Sequence, residues 1–304
     1  MHSFRTHTGV ISYIMKILIA TDFSATAAHA AEYGYLLAKQ LKAGVFLCNT
    51  IVIPAEVPVS GIAFWSQGDS DTLLADSTEE LKQLKAHLQQ NDHTNTFRPP
   101  VDYINESGTV WYFVNNSAFK QQADVIIAGT HEEDGLGSLL SGNHTIDLIE
   151  TCIRPLLIIP RTAAFKPIKK IAFATDLEYP ENDLQQLYDL IKLAKMLDAE
   201  ILLTHIKNEA DNAVKFEKRI EKFLAEVSDK ADYHKIYHRI INQDKVESGL
   251  DWLCEHAQID ILAMAHREHG LLENIFKGSH TKRMAGHIAI PLLVYPGTNS
   301  RETI

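Results

Sequence analysis

The sequence predicts an α/β protein built from two tandem, doubly wound, five-stranded parallel-sheet domains. Three observations lead there. First, the chain repeats itself. "KILIATDFS" (16–24) matches "KKIAFATDLE" (169–178), and "VFLCNTI" (45–51) matches "EILLTHI" (200–206). "ADVIIAGTHEEDGLGSLLSGNHT" (123–145) matches "IDILAMAHREHGLLENIFKGSHT" (259–281), and "CIRPLLIIP" (152–160) matches "HIAIPLLVYP" (287–296). Second, VIIAG, LLIIP and ILLTH are apolar without alternation, the pattern of strands covered on both faces. Third, helical segments separate successive strands, as the crossovers of a parallel sheet require.

The elements follow in order. In the first repeat, strands are expected near 16–21, 45–51, 101–105, 124–129 and 156–160, with helices near 25–42, 76–91, 108–122 and 143–152. In the second, strands are expected near 169–175, 200–206, 234–241, 260–265 and 292–295, with helices near 181–198, 211–228, 244–257 and 279–287. Val214, Ile220, Phe223, Leu224 and Val227 share one face of the 211–228 helix, which marks it as packed on its sheet. Asp22 and Asp176 lie 154 residues apart, Phe46 and Ile201 lie 155 apart, and Gly142 and Gly278 lie 136 apart. The extra residues of the first repeat therefore fall between its second and third strands. "VIPAEVPVSGIAFWSQGDSD" (52–71), with Phe64 and Trp65, reads as the start of a long loop over 52–77. A loop of that length in a compact domain is either functional or disordered.

A chain of 304 residues suits two domains of ordinary size. Residues 1–14 read as an extension without a structural role, 15–161 as the first domain and 167–297 as the second, joined through "RTAAFKP" (161–167). The net charge of −10 argues against nonspecific nucleic-acid or anionic-membrane binding, which needs a basic face. No apolar run has the length of a membrane span, and Lys16 interrupts the N-terminal apolar stretch that a signal peptide would need. The three cysteines, Cys48, Cys152 and Cys254, form no CxxC. They indicate neither a disulfide framework nor a zinc site, and Cys48 and Cys152 read as buried thiols. The expected location is the cytoplasm.

In an open parallel sheet, ligands bind beyond the carboxyl ends of the strands, where the strand order reverses. Two features of each repeat converge there. One is the acid ending the first strand, Asp22 or Asp176. The other is the loop after the fourth strand, which ends in Gly142-Asn143 or Gly278-Ser279 at a helix start. Free N–H groups and the helix dipole make such a start an anion cradle. Each acid fits two readings, a cap of the next helix or a ligand contact.

Other motifs carry less. His266, Glu268, His269 and His280 have donors for a divalent metal, but the same residues read as a solvated polar loop, and no metal site is predicted. "GLGSLL" (135–140) lacks the third glycine of a dinucleotide fingerprint, and no GxxxxGK[ST] or GxSxG occurs. Ser24 and Ser279 have no base at a recognisable spacing, so no catalytic residue is assigned. "HTKRMAGH" (280–287) reads as a solvated helix face.

The duplication, the Ala-Thr-Asp after each first strand and "GTHEEDGLGSLLSGNHT" after the fourth resemble the universal stress protein family in its tandem form, over residues 16–296. The resemblance implies a Rossmann-like fold of the adenine nucleotide α-hydrolase type, packed as an internal pseudo-dimer through the fifth strands, with further association into a homodimer. Nucleotide-binding members carry Gly-x2-Gly-x9-Gly-Ser/Thr. Gly129 and Gly142 match in the first repeat, but Glu132 and Asn143 replace the second glycine and the hydroxyl. Gly278 and Ser279 match in the second, but Ala265 and Glu268 replace the first two glycines. Each glutamate adds bulk and like charge beside a triphosphate unless a cation intervenes.

The resemblance thus implies a non-enzymatic stress-response or regulatory protein that binds an adenine nucleotide such as ATP, with Mg. Its binding residues would be Asp22, Gly129, Gly142 and Asn143 in the first domain and Asp176, Ala265, Gly278 and Ser279 in the second. The second is preferred for Ser279 and the nearby Lys277, Lys282 and Arg283. Two alternatives stand beside it. One is a slow ATPase with metal near Asp176 or Glu268. The other is a protein-interaction module that uses the long loop.

Overall fold

The computed structural model describes residues 14–51, 67–130, 143–176, 180–207, 213–266 and 290–297. The first half runs β1 (Lys16–Ala20), α1 (Ala25–Leu41), β2 (Gly44–Ile51), α2 (Gln67–Gln90), β3 (Val101–Ser107), α3 (Val110–Gln121), β4 (Val125–Gly129), α4 (Asn143–Thr151) and β5 (Leu156–Ile159). The second half runs β6 (Lys170–Ala174), α5 (Pro180–Leu197), β7 (Glu200–Lys207), α6 (Ala213–Ala231), β8 (Ile236–Asn242), α7 (Val246–His256), β9 (Ile261–Ala265) and β10 (Leu292–Tyr295). The helix expected at 279–287 lies outside the described residues.

All ten strands form one sheet in the order β3-β2-β1-β4-β5-β10-β9-β6-β7-β8. Within each half every pairing is parallel, and the order reverses between the first and fourth strands. The halves meet at one antiparallel pair, β5 with β10, where Leu156, Leu157 and Ile158 face Val294, Leu293 and Leu292. The expected joining of the fifth strands is therefore present within the chain. It hides two sheet edges that would otherwise expose unpaired backbone.

Successive strand side chains point to opposite faces, and both faces are covered. Ile17 and Ile19 of β1 join the core under α1, α2, α5 and α6, while Leu18 joins the core under α3, α4 and α7. At the junction, Leu157 and Leu293 belong to the first core, and Leu156 and Leu292 to the second. Each core thus runs unbroken across both halves. A fully buried side chain such as Phe173 contributes about 1.5–3 kcal/mol relative to exposure. Cys48 and Cys152 are buried as expected, and Cys254 is half-buried. Ile220, Phe223 and Val227 of α6 turn into the core, as the amphipathic pattern requires.

Two details differ from the sequence expectation. Helix α2 starts at Gln67, nine residues before the expected start at 76. Within it the Ser77 and Thr78 hydroxyls donate back to Leu74 O at 3.2 and 2.6 Å. Asn105 of β3 then donates to Leu74 O at 3.0 Å and ties the helix to the sheet edge. The second difference is a register. β1 pairs Lys16 with Gly44, and β6 pairs Lys170 with Glu200. Cys48 therefore corresponds to Thr204 and Asn49 to His205, one residue away from the match read in sequence. One residue of slip turns every side chain of a strand to the other face.

The linker between the halves packs on α1. His29 Nε2 lies 2.9 Å from Ala163 O, and Gln40 bonds both the N–H and the carbonyl of Ile168, at 3.0 and 3.1 Å. The Tyr33 and Phe165 rings meet edge to face at 5.1 Å. Lys166 pairs with Asp260 at 2.8 Å. Among the described residues, no helix is long and apolar enough to cross a membrane.

Candidate functional site

The crevice of the first half forms where β1 and β4 diverge. After β1 the chain turns through Thr21, Asp22 and Phe23 into α1. Asp22 Oδ1 accepts from Ser24 N at 3.0 Å, and Thr21 Oγ1 accepts from Phe23 N at 3.1 Å. This tight turn places Phe23 in the left-handed region, at φ 63, which is uncommon for a bulky residue. The helix cap is Ser24, whose hydroxyl accepts from Ala27 N at 3.2 Å. Asp22 is therefore not the cap. It shapes the turn and remains exposed on the rim.

A hollow of about 130 Å³ lies beside this turn, bounded by Asp22, Thr50, Val110, Gly129, Thr130 and Thr145, among others. It brings together the two sequence-predicted residues Asp22 and Gly129. Gly129 is required by packing alone. A Cβ there would lie 2.6 Å from Thr26 O and 2.9 Å from Thr26 C, inside the first turn of α1. Asn143 opens α4, whose Thr145 and Leu148 also border the hollow. Gly142 and Glu132 lie outside the described residues.

Three lining residues did not stand out in the sequence. The Thr50 hydroxyl is buried with no hydrogen-bond partner among the described residues. Cys48 also borders the space, and burial pushes its thiol pKa up to about 12, which leaves it without thiolate at neutral pH. Thr130 continues the backbone of β4, donating N–H to Ile159 O at 3.2 Å. The signal for Thr50 was its side of β2, readable only with the register in hand.

The second half builds the same frame with different side chains. Thr175 N–H bonds Thr204 O at 3.0 Å, as Thr21 N–H bonds Cys48 O at 2.9 Å. The carbonyl of the residue after the first strand is held by Asn49 Nδ2 at 2.7 Å from Thr21 O in the first half and lies 3.0 Å from His205 Nδ1, at Thr175 O, in the second. Asp176 follows at the rim, half-buried. Ala265 takes the place of Gly129, and His266 that of Thr130, with His266 N–H on Tyr295 O at 2.9 Å. The counterpart of Thr50 is Ile206, which is buried against α7 at Gly249. Glu268, His269, Gly278, Ser279 and His280 lie outside the described residues. Among the described residues, no cluster of His, Cys, Asp and Glu has metal-binding geometry.

These features define a class: a duplicated, doubly wound α/β protein with a crevice at the switch point of its first half. The chain belongs to the universal stress protein family, whose model matches residues 14–160 and 167–296. A universal stress protein from Archaeoglobus fulgidus is similar over 93% of this chain and 97% of its own, at 13% identity and a TM-score of 0.64. A putative universal stress protein from Pseudomonas aeruginosa is similar over 95% of each chain, at 11% identity and a TM-score of 0.54. At these identities the likeness speaks for the fold alone. A shorter universal stress protein in complex with cAMP covers 49% of this chain and 98% of its own, at 14% identity and a TM-score of 0.35. No curated protein matches the sequence.

Proposed function

We propose that the protein is a non-enzymatic regulatory member of its family that binds an adenine nucleotide in the crevice of the first half. The observation that carries this reading is the unpartnered Thr50 hydroxyl buried beside the hollow at the β1/β4 switch. A buried polar group without a partner costs stability unless a ligand or water satisfies it. The hollow suits one ring-sized group, since pockets that enclose a whole ligand are usually above about 300 Å³. The base or ribose would enter here beside Asp22. The phosphates would extend toward Gly142 and Asn143 at the start of α4, where free N–H groups favour anions.

Mg would be needed to offset the charge of Glu132 beside a triphosphate, so ATP with Mg, ADP and AMP are separate cases. The pocket of the second half, with Asp176, Ala265, Gly278 and Ser279, has the basic residues Lys277, Lys282 and Arg283 in its favour. Ile206 in place of Thr50 counts against it. Association of two chains and a cytoplasmic location belong to the same proposal.

Calorimetry with ATP, ADP and AMP, with and without Mg, tests it. Binding should weaken in Thr50→Ile and Asp22→Ala and persist in Asp176→Ala. Loss only in Asp176→Ala would move the site to the second half, and no heat from any nucleotide at millimolar concentration would end the nucleotide reading. Light scattering that shows only monomers would remove the homodimer.

A further inference from the structure

The hollow of the first half is lined chiefly by hydroxyls. Thr21, Ser24, Thr26, Thr50, Thr130 and Thr145 border it, and Asp22 is the sole charged residue beside them. Among the described residues, neither an aromatic ring nor a cation lines it. Two kinds of ring fit a space of this size, a nucleobase and a sugar. A base is gripped on its flat faces, by stacking on aromatic or guanidinium planes. A sugar has no π face. It carries hydroxyls on its rim and C–H groups on its faces, so it needs donors and acceptors beside an apolar wall.

The hydrogen bonds already made show which capacity is left over. Thr21 Oγ1 accepts from Phe23 N at 3.1 Å, which leaves its proton to donate. Ser24 Oγ accepts from Ala27 N at 3.2 Å and lies 3.0 Å from Thr26 Oγ1. One proton serves that hydroxyl pair, and the other remains to donate. Asp22 takes Ser24 N on Oδ1 at 3.0 Å, so Oδ2 stays available as an acceptor. Thr50 Oγ1 has no partner and can do either. Val110 and Val114 of α3 supply the apolar wall, with Leu148 of α4. A vicinal diol asks for this combination, because each of its hydroxyls gives one proton and accepts another. The second half lacks the set, since Ile206 stands for Thr50 and His266 for Thr130.

We infer that the hollow is a sugar subsite: the first half selects its ligand by the ribose more than by the base, and Thr50 reads a ribose hydroxyl. The inference rests on the nucleotide reading given above and names the part of the nucleotide that enters the hollow. The base then lies outside it, where exchange of one base for another costs little.

Calorimetry on the full chain tests this with AMP, its 2′-deoxy and 3′-deoxy analogues, GMP and ribose 5-phosphate. Loss of a ribose hydroxyl should weaken binding about ten-fold, as for one hydrogen bond, whereas GMP should bind within about three-fold of AMP. Thr50→Val exchanges the hydroxyl for a methyl of similar shape. It should narrow the gap between AMP and its weaker deoxy analogue, and Thr50→Ser, which keeps the hydroxyl, should preserve that gap. A general loss of folding would weaken all ligands together and would not change their ratio. Deoxy analogues that bind as well as AMP while GMP is rejected would put the base in the hollow, overturning the sugar subsite and leaving the nucleotide reading in place. A gap unchanged in Thr50→Val would also overturn it. Binding of ribose 5-phosphate with every nucleotide silent would keep the sugar subsite and remove the nucleotide. Silence from all five would remove both.

Discussion

The two halves share a backbone plan and differ in what their crevices contain. At the end of the fourth strand, Gly129 admits the first turn of α1, whereas Ala265 carries a methyl group at the same place. Helix α1 packs closely on β4, and α5 has no comparable contact with β9 among the described residues. At the end of the second strand, Thr50 presents a buried hydroxyl to the hollow, whereas Ile206 fills space against α7. At the far end of α1 from the crevice, Lys39 forms an ion pair with the buried Asp92, whereas its counterpart Lys195 donates to Ala231 O at 2.8 Å. The difference teaches that duplication preserved the parts that hold strands in register. The side chains free of that duty diverged, and they are the ones that decide what a crevice can hold.

The comparison is broken most sharply at Gly129. Gly129→Ala puts a methyl into backbone that cannot yield cheaply, and should cost about 2–3 kcal/mol of stability, read from the denaturant midpoint. The reciprocal Ala265→Gly should cost only about 0.5–1 kcal/mol, from backbone entropy. Equal effects at the two sites would mean that α1 and α5 approach their sheets alike.

The ion pair comes next. The Asp92 carboxylate accepts from Lys39, from Thr94 N and Oγ1 at 3.1 and 2.8 Å, and from Tyr35 Oη at 3.2 Å. The hydrogen bond from Lys39, followed by those from Thr94, holds its pKa well below the usual carboxylate range. Asp92→Asn should therefore destabilise the protein by about 1–3 kcal/mol at neutral pH. A depressed pKa contributes stability that is complete above the unfolded value and lost as pH falls through the folded one. The gap between variant and parent should thus be constant above about pH 4–5 and shrink as the pH falls further. A gap that persists unchanged to pH 2 would show that Asp92 acts through packing and not through its charge.

The smallest effect is at the turn itself. Ser24→Ala removes the cap of α1 and should cost about 1 kcal/mol, seen as a lower thermal midpoint. Asp22→Ala loses only a turn contact on an exposed rim and should cost less than Ser24→Ala. A larger loss at Asp22 would return it to the role of helix cap that one reading of the sequence allowed.

Much of the fold could be read before the structure, because it rests on patterns repeated along the chain. Apolar runs such as VIIAG and LLIIP locate strands buried on both faces, and the matched segments place them in two sets of five. The start of α2 could not be read, because Gly68, Asp69, Ser70 and Asp71 have the composition of a loop. The match of β2 to β7 slipped by one because the sequences agree at Ile51 and Ile206, whereas the strand pairing sets Thr50 against Ile206. Only pairing with the first strands shows that Asn49 and His205 do the same task. Of the candidate site, Asp22 and Gly129 were readable from their position at strand ends, while Thr50 was not.

By itself the sequence determined the class, the duplication and the order of elements, because burial on two faces and helical crossovers impose periodicities that need no partner to be recognised. Tertiary structure decided which face each residue of β2 presents, why Gly129 has no side chain, and that the linker between the halves packs along α1. Those depend on distances between segments far apart in the chain, and local pattern carries no information about such distances.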